Sequence, residues 1–198
     1  MKVIILLAQG LEECEALITY DLLFRAGIET DLVGLQDEIT SSHKVTIKPH
    51  KNINDINSDE YDCLVLPGGI PGTLNLENDD RVQKLIDEFV TKDKYVCAIC
   101  AAPSILIRKG LLQNNKFICH PGFETGLTPV SNEKAYQDKK FITGKGLGAA
   151  FEFAYLIISN LISEDKAKEI LAKIQYLWKP KQLDYVACFE EYCIVYYS

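Results

Sequence analysis

The sequence predicts an α/β protein, a three-layer sandwich in which helices cover both faces of a central, mostly parallel sheet. Short runs that are apolar at almost every position, as in strands buried on both faces, alternate with segments of helical periodicity. Such alternation is typical of α/β sandwiches. The chain has 198 residues, of which 47% are hydrophobic and 25% are charged, so one domain with a sizeable core is the simplest organisation.

The first half of the chain opens with an apolar run that predicts a central parallel strand, and the Gln9-Gly10 turn then leads into a helix. The next segment alternates between polar and apolar residues, as a strand does. Residues 36–60 are short polar pieces that predict little regular structure. The predicted elements are, in order, a strand at 2–8, a helix at 11–26, a strand at 29–35 and a strand near 44–48.

The second half repeats the alternation. A buried strand runs into Pro67-Gly68-Gly69, and an amphipathic helix with an acidic first turn follows. Another buried strand stops at Cys100 and turns at once into a short helix, which Gly110 ends as a glycine C-cap. The predicted strands are 62–67, 95–99, 116–120 and 139–143, and the predicted helices are 79–90, 101–109, 148–161 and 164–178.

Two segments of unequal length make up the chain. Residues 1–178 are predicted to form the α/β domain, and residues 179–198 form an extension rich in aromatic residues. We expect this apolar surface to pack on the domain or on a dimer mate instead of remaining in solvent. Closure over Cys100 is a sharper alternative, and a helix and a strand suit the extension equally well.

The charge and cysteine content exclude several classes of protein. A net charge of −7, from 21 Lys and Arg against 28 Asp and Glu, offers no basic stripe for nucleic acid. No segment has the length of a membrane span, and the first apolar run is too short for a signal peptide. Seven cysteines at irregular spacing indicate reduced thiols, so a cytoplasmic location is expected.

Cys100 is the candidate nucleophile. It follows a buried strand directly and precedes a short helix, so its side chain is expected on a sharp elbow beside the backbone N–H groups of the helix start. These groups stabilise a thiolate, and the pKa of Cys100 is therefore expected to fall. The alternative is a buried, inert cysteine, which is the commonest fate of this residue type.

A carboxyl group from the first helix is the candidate partner of this thiol. Glu15 shares one helical face with Leu11 and Leu22, which places its carboxyl on the stripe that packs inward. A buried carboxyl without a nearby cation has a raised pKa and, when protonated, can donate a hydrogen bond to a thiolate. If the helix is rotated slightly, Glu15 is instead solvated at the rim.

Further candidates lie at the carboxyl ends of predicted strands, where α/β folds gather reactive groups. Gly68 and Gly69 would let the backbone approach a ligand or point N–H groups into a site, although a plain turn would favour them as well. His120 closes a predicted strand, yet a lone histidine is more often structural than catalytic. Asp21 lies further along the same predicted helix as Glu15, and a capping or interface role is expected for it.

Other chemistries fit the sequence less well. Cys97 and Cys100 have the spacing of a redox dithiol, but Cys97 falls inside the apolar strand instead of at an exposed helix start. The sequence contains no phosphate-loop motif and no cysteines and histidines at zinc-finger spacing, so neither a nucleotide nor a metal is expected. His43 and His50, in the polar region, are expected at the surface.

Five blocks of the sequence resemble the ThiJ/PfpI superfamily, specifically its Parkinsonism-associated deglycase branch. The resemblance covers about residues 1–177, in order and with little insertion. The blocks are residues 7–15 (LAQGLEECE), 65–69 (VLPGG), 98–103 (AICAAP), 119–121 (CHP) and 148–154 (GAAFEFA).

The resemblance implies a flavodoxin-like α/β/α sandwich, usually a homodimer, that works without a cofactor. It implies a nucleophilic cysteine at Cys100, a protonated glutamate at Glu15 in contact with the sulfur, and His120 as the third site residue. The implied backbone N–H positions around the sulfur are Gly68, Gly69 and Ala101, and the implied positions near the dimer contact are Asp21 and Arg25.

Members of this branch are described as cofactor-free glyoxalases, as deglycases that act on glycated amines and thiols, and as sensors whose cysteine oxidises to a sulfinic acid. The implied substrate is a small reactive aldehyde, such as methylglyoxal, or its early adduct. Two hypotheses follow. Cys100 attacks the aldehyde in a glyoxalase or deglycase, or it is oxidised in a non-catalytic oxidative-stress sensor or chaperone.

Two departures argue against other branches of the superfamily. Ala101 stands where peptidase-like members have a histidine directly after the elbow cysteine. His120 and Glu124 lack the His-x-Glu spacing of glutamine amidotransferases. Neither proteolysis nor glutamine hydrolysis is therefore expected.

Overall fold

The structure is a computed structural model in which residues 1–130 and 132–176 are described. Within these residues seven strands form one sheet, and two short strands pair as a separate antiparallel hairpin. The sheet consists of β1 (Lys2–Leu7), β2 (Glu29–Gly34), β5 (Lys51–Asn52), β6 (Cys63–Leu66), β7 (Tyr95–Ile99), β8 (Ala135–Asp138) and β9 (Phe141–Gly144), and the hairpin of β3 (Ile39–Thr40) and β4 (Thr46–Ile47).

The strands of the sheet lie in the order β5-β2-β1-β6-β7-β9-β8. The ladders are parallel except for the one between β8 and β9. The five strands β2, β1, β6, β7 and β9 reproduce the strand order of the flavodoxin-like fold. The predicted α/β fold with a mostly parallel central sheet is confirmed.

Helices cover both faces of the sheet, each over its own hydrophobic core. Ile5 of β1 packs in the core beneath α1, α5 and α6, whereas its neighbour Ile4 packs in the core beneath α2, α3 and α4, because side chains alternate along a strand. The helices of the described residues are α1 (Glu13–Arg25), α2 (Gly72–Glu77), α3 (Asp80–Thr91), α4 (Pro103–Arg108), α5 (Ala150–Leu161) and α6 (Glu164–Lys173).

Both helix starts next to the candidate site differ from the prediction. α1 begins after Glu12, whose side chain accepts the Cys14 N–H at 3.3 Å and caps the helix. α4 begins at Pro103, because the residues directly after Cys100 form tight turns instead of helix. The N–H groups next to Cys100 thus belong to a turn and not to a helix terminus.

The strand predicted at residues 116–120 is not part of the sheet. This segment has no regular secondary structure, its middle residues are buried, and the Ile118 N–H donates to the Thr143 hydroxyl oxygen at 2.9 Å instead of entering a backbone ladder. β9 starts later than predicted, because Lys139, with φ 52°, lies in the turn from β8. The strand predicted near 44–48 is only β4, in the separate hairpin.

Some helices and strands of the structure are not predicted from the sequence, and some predicted segments are not described by the structure. α2 and β8 are not predicted, because both are short and partly polar. The helix predicted at 164–178 ends earlier, at Lys173, because Gln175, with φ 59°, lies in the turn that follows it. Residues 177–178 and the extension at 179–198 lie outside the described residues. None of the described helices combines the length and apolar character needed to cross a membrane.

The topology gathers the candidate site at one edge of the sheet. β1, β6, β7 and β9 are parallel neighbours, so their carboxyl ends meet there. β1 leads into the start of α1, β6 into the glycine turn, β7 into Cys100 and β9 toward Gly146. Segments that are distant in sequence are thus brought together around one sulfur atom.

Candidate active site

Cys100 lies on the elbow that the sequence predicts, directly after β7. Its backbone is in the left-handed region, with φ 64°, which a residue other than glycine adopts at a cost of about 1–3 kcal/mol. The Cys100 N–H donates to the Gly144 oxygen at 2.9 Å, and the Cys100 oxygen accepts the His120 N–H at 2.8 Å. These bonds fix the elbow, and its side chain is half-buried.

Glu15 reaches the sulfur from the first turn of α1. The residue is 1% exposed, and its carboxyl is in contact with the Cys100 thiol. Oε2 accepts the Gly68 N–H at 2.9 Å, whereas Oε1 has no hydrogen-bond partner among the described residues. The helical stripe therefore predicts the orientation of Glu15 correctly, and the alternative of a solvated carboxyl is wrong.

The environment of Glu15 favours its neutral form. Burial raises the pKa of Glu15 to about 7. The Gly68 N–H and the Cys100 thiol oppose this shift, and the charge of Glu12 adds to it. Near neutral pH the carboxyl is thus present in both protonation states. Because Oε2 accepts a hydrogen bond, a proton on Glu15 belongs on Oε1.

The expected fall in the pKa of Cys100 is wrong. Burial raises the pKa of Cys100 to about 12, and the negative charge of Glu15 and its hydrogen bond with the thiol add to the shift. The N–H groups of Gly69 and Ala101 favour the thiolate but are outweighed. The turn that follows Cys100 stabilises a thiolate less than a helix start would, because N–H groups of this turn already donate to backbone oxygens. Neutralising Glu15 therefore makes the thiolate less unfavourable, although burial still opposes it.

Gly68 occupies the space between the acid and the sulfur. Gly69 and Ala101 direct their N–H groups toward the sulfur, whereas the Gly68 N–H is taken by Glu15. A Cβ atom on Gly68 would lie 2.6 Å from Cys100 Cβ and 2.7 Å from Glu15 Oε2, closer than packed atoms allow. Glycine at this position is what permits the acid and the sulfur to touch.

The substitution Gly68→Ala should push the acid and the sulfur apart. We expect unfolding to require about 1–3 kcal/mol less free energy, since the site is already filled, and alkylation of Cys100 by iodoacetamide to lose the influence of Glu15 on its pH dependence. Gly148→Ala is the matched control for stability, because nothing lies within 4 Å of the corresponding Cβ position. Equal stability and equal alkylation profiles for the two variants would contradict this role of Gly68.

His120 lies on the solvent side of the sulfur. Its ring is exposed, Nδ1 lies 2.9 Å from the Pro121 oxygen, and Phe123 packs edge-on with ring centroids 6.0 Å apart. Nδ1 therefore carries the proton in the neutral ring and leaves Nε2 as the basic nitrogen. A Cβ atom on Gly146 would lie 3.7 Å from His120 Cδ2 and 3.8 Å from Cys100 Sγ, so both side chains border the same opening.

The positions implied in dimer contact lie on α1. Arg25 Nε is 2.7 Å from Asp21 Oδ2 in an ion pair whose side chains are both about half exposed. Phe24, next to them in sequence, is 66% exposed. This surface is compatible with the expected contact, and the homodimer itself stays a prediction.

Other cysteines near Cys100 in sequence or space have structural positions. Cys97 is fully buried, and its sulfur lies 3.4 Å from that of Cys63. The sulfur of Cys97 in β7 thus contacts that of Cys63 in the neighbouring strand β6 and not that of Cys100. This arrangement argues against a redox dithiol of Cys97 and Cys100. Cys119, beside His120, is 3% exposed, and Cys14, beside Glu15, is exposed.

Sequence reasoning missed a group of polar side chains at the start of α1. His43 Nδ1 lies 3.3 Å from Glu12 Oε2 and 3.1 Å from Glu13 Oε1. Burial acts to raise the pKa of Glu13, but its hydrogen bonds with backbone, Ser41 and His43 outweigh burial and lower the pKa. Ligand atoms of Glu12, Glu13 and His43 lie within 4.8 Å of one another. These residues could hold a cation, yet the contacts of His43 with the two carboxyl groups account for their arrangement.

Comparisons with known proteins identify the family of this chain. A family model described as the DJ-1/PfpI family matches residues 1–160. The Danio rerio protein named "Parkinson disease protein 7 homolog" is 29% identical over 181 residues, which cover 87% of this chain and 96% of that protein. The Caenorhabditis elegans protein named "Glutathione-independent glyoxalase DJR-1.2" is 28% identical over 173 residues, which cover 85% of this chain and 92% of that protein.

A solved structure extends the likeness from sequence to fold. The structure named "Toxoplasma gondii DJ-1, oxidized" matches with a TM-score of 0.85 at 30% identity, over 89% of this chain and 99% of that chain. The family match includes the start of α1 with Glu15, the glycine turn after β6 and the Cys100 elbow. Fold, site and sequence thus lead to one conclusion: the chain belongs to the DJ-1/PfpI family.

Proposed function

We propose that this protein is a cofactor-free, cysteine-dependent glyoxalase that acts on 2-oxoaldehydes such as methylglyoxal, or on their early adducts, in the manner of a deglycase. The observation that carries the proposal is the contact between the Cys100 thiol and the buried Glu15 carboxyl, whose pKa is about 7. A relative named as a glutathione-independent glyoxalase supports the same reaction class. Cys100 would supply the thiol that glutathione supplies elsewhere.

The pair would be reactive in its singly charged form. Burial sets the pKa of Glu15 at about 7 and that of Cys100 at about 12, so between these values the pair holds one proton. Transfer of that proton from sulfur to the Glu15 carboxyl gives a thiolate beside a neutral acid, without exchange with solvent. This form removes the charge repulsion that otherwise disfavours the thiolate.

In the first half of the reaction the Cys100 thiolate adds to the aldehyde carbon and forms a hemithioacetal. Negative charge then moves from sulfur to the new alkoxide oxygen, next to the N–H groups of Gly69 and Ala101. Glu15 donates its proton to the alkoxide and becomes a carboxylate. The neutral acid thus activates the sulfur before the addition and neutralises the product of the addition.

In the second half the basic Nε2 of His120 removes the proton from the former aldehyde carbon, which gives an enediolate beside a protonated His120. His120 returns this proton to the neighbouring carbon and the hydroxyl proton moves to the neighbouring oxygen, which gives a thioester of a 2-hydroxy acid. Water then opens the thioester, so methylglyoxal and water yield lactate and free Cys100. One carbon is oxidised as its neighbour is reduced, and no external redox partner is required.

The direct test is lactate production from methylglyoxal by the wild-type protein with no added thiol and with a metal chelator present. We expect turnover well above the rate without protein, with Cys100 unmodified after the substrate is consumed. A heat-unfolded sample of the same protein is the control, because the site requires the fold. No lactate above this control would contradict a glyoxalase.

An oxidative-stress sensor is the second candidate, favoured by the half-buried position of Cys100 and by a related protein solved in a form described as oxidized. Two molecules of hydrogen peroxide would convert the thiol to a sulfinic acid and leave two waters. A neutral Glu15 could hydrogen bond the sulfinate. If mild peroxide adds two oxygens to Cys100 alone while methylglyoxal is not consumed, the sensor is favoured over the enzyme.

A further inference from the structure

The opening beside Cys100 continues into a cleft with a volume of about 410 Å³. Gly146 lies next to the sulfur, and its missing side chain leaves the path from the sulfur into the cleft open. His120, Lys134 and Lys145 line the cleft together with the residues before α5. A small substrate attacked by the sulfur would therefore extend its remaining atoms toward these cationic side chains.

The two lysines of the cleft differ in how their charges are balanced. Lys134 Nζ lies 2.6 Å from Glu152 Oε1, whose side chain is 12% exposed, so its charge is neutralised. The exposed Lys145 has no ion pair or side-chain hydrogen bond within the described ranges 1–130 and 132–176. The Lys145 N–H donates to the Lys134 oxygen at 2.8 Å, which fixes the backbone between the two. Among the described residues that line the cleft, Lys145 is thus the lysine whose positive charge is not balanced by an ion pair.

We infer that the preferred substrate is a 2-oxoaldehyde that carries an anionic group beyond its carbonyls, with the aldehyde at Cys100 and the anionic group held by Lys145. The inference rests on the proposed glyoxalase function and specifies its substrate class. Lys145 is then a specificity residue, because methylglyoxal has no group for it to hold. An exposed ion pair is worth little in general, but a charged hydrogen bond in a cleft is worth more.

The probe substrate is 4,5-dioxopentanoate, which is a 2-oxoaldehyde with a carboxylate. Cys100 adds to its aldehyde carbon, the proton shift through the enediol gives a thioester, and water releases 2-hydroxyglutarate and one proton. The atoms balance as one 4,5-dioxopentanoate and one water to one 2-hydroxyglutarate and one proton. As with methylglyoxal, the oxidation and the reduction occur within the substrate.

A first experiment measures anion preference at Cys100 without relying on turnover. Iodoacetate and iodoacetamide are nearly equal in size, and each alkylates the thiolate with loss of iodide, but only iodoacetate is charged. In Lys145→Gln the ratio of the iodoacetate rate to the iodoacetamide rate should fall about three- to ten-fold, and in Lys145→Glu further. Added salt should lower the ratio in the wild type, because it screens the charge.

Lys84→Gln is the matched control, because Lys84 on α3 is 79% exposed, does not line the cleft and changes the net charge equally. Its alkylation ratio should equal that of the wild type. An unchanged ratio in Lys145→Gln, or an equal fall in both variants, overturns the inference even if methylglyoxal is turned over.

A second experiment compares kcat/KM for 4,5-dioxopentanoate with kcat/KM for methylglyoxal. The ratio of the two should fall about three- to ten-fold in Lys145→Gln and stay at the wild-type value in Lys84→Gln. If the alkylation ratio responds to Lys145 but neither aldehyde is consumed, the proposed function fails and the anion site stands. If both aldehydes are consumed and the ratio of their kcat/KM values is unchanged in Lys145→Gln, the proposed function stands and the inferred substrate class is wrong.

Discussion

Replacing Cys100 by serine should lower kcat/KM for methylglyoxal by at least about 10³-fold, because a hydroxyl group is a far weaker acid and nucleophile than a thiol. Proton transfer to Glu15 can leave a thiolate on the sulfur, but it cannot ionise a hydroxyl group in the same way, because a hydroxyl is a far weaker acid. The fold should persist, since the elbow is held by backbone bonds to Gly144 and His120. Lactate formation and the unfolding temperature of the variant measure the two effects.

Cys14→Ser is the control for this substitution. Cys14 is adjacent to Glu15 in sequence, but it is exposed and its pKa is raised by partial burial and by neighbouring glutamates. Its replacement should leave kcat/KM within about two-fold of the wild type. If Cys100→Ser kept a tenth or more of the wild-type activity while folded, Cys100 would not be the nucleophile.

Replacing Glu15 by glutamine should stabilise the protein above neutral pH. Burial raises the pKa of Glu15 from 4.5 to about 7, so the folded state binds this proton more tightly than the unfolded chain. The stabilising effect of the proton is complete below pH 4.5 and is lost as pH rises through about 7. Between about pH 4 and pH 8 the difference in free energy of unfolding between variant and wild type should therefore grow by about 3 kcal/mol in favour of the variant.

The same variant should lose most of its activity. Its amide oxygen can accept the Gly68 N–H and its amide nitrogen can approach the sulfur, but it cannot transfer a proton, so kcat should fall about 10²- to 10⁴-fold. Alkylation of Cys100 by iodoacetamide should rise with pH near 7 in the wild type, where the pair loses its first proton. In the variant this rise should move above 9.0, because burial raises the pKa of the isolated thiol.

Glu13→Gln provides the contrast for the stability measurement. Glu13 also lies in the first turn of α1, and its hydrogen bonds with backbone, Ser41 and His43 outweigh burial and lower its pKa. A carboxyl with a lowered pKa stabilises the fold above its ordinary pKa and loses this effect as pH falls. Glu13→Gln should therefore destabilise the protein at neutral pH. The same sign of change in both variants would contradict the environments assigned to them.

The local sequence pattern was sufficient to predict those features that depend on a single helix or strand. The 3.6-residue periodicity of α1 places the Glu15 carboxyl inward, and the apolar run that ends at Cys100 predicts β7 and its elbow. The order of these elements predicts the sandwich. The resemblance to a known family then joined Glu15, Cys100 and His120 before any contact between them was visible.

Features that depend on contacts between elements could not be predicted in this way. The pKa of Cys100 is set by burial and by the charge of Glu15, which outweigh the N–H groups that a local view of the elbow emphasises. His43 reaches Glu12 and Glu13 only because the hairpin of β3 and β4 folds over the start of α1. No periodicity within residues 36–60 contains that information, since the partner surface lies on another element.

The backbone bonds around Gly68 have a consequence for how the site responds to disturbance. Its oxygen accepts the Glu12 N–H at 2.9 Å, and its N–H donates to Glu15 at 2.9 Å, so the glycine turn and the beginning of the first helix are tied at two points. Loosening of either segment would displace the acid before the rest of the sandwich comes apart. The rate at which Cys100 is labelled near neutral pH would then report early local opening, in advance of any spectroscopic sign of global denaturation.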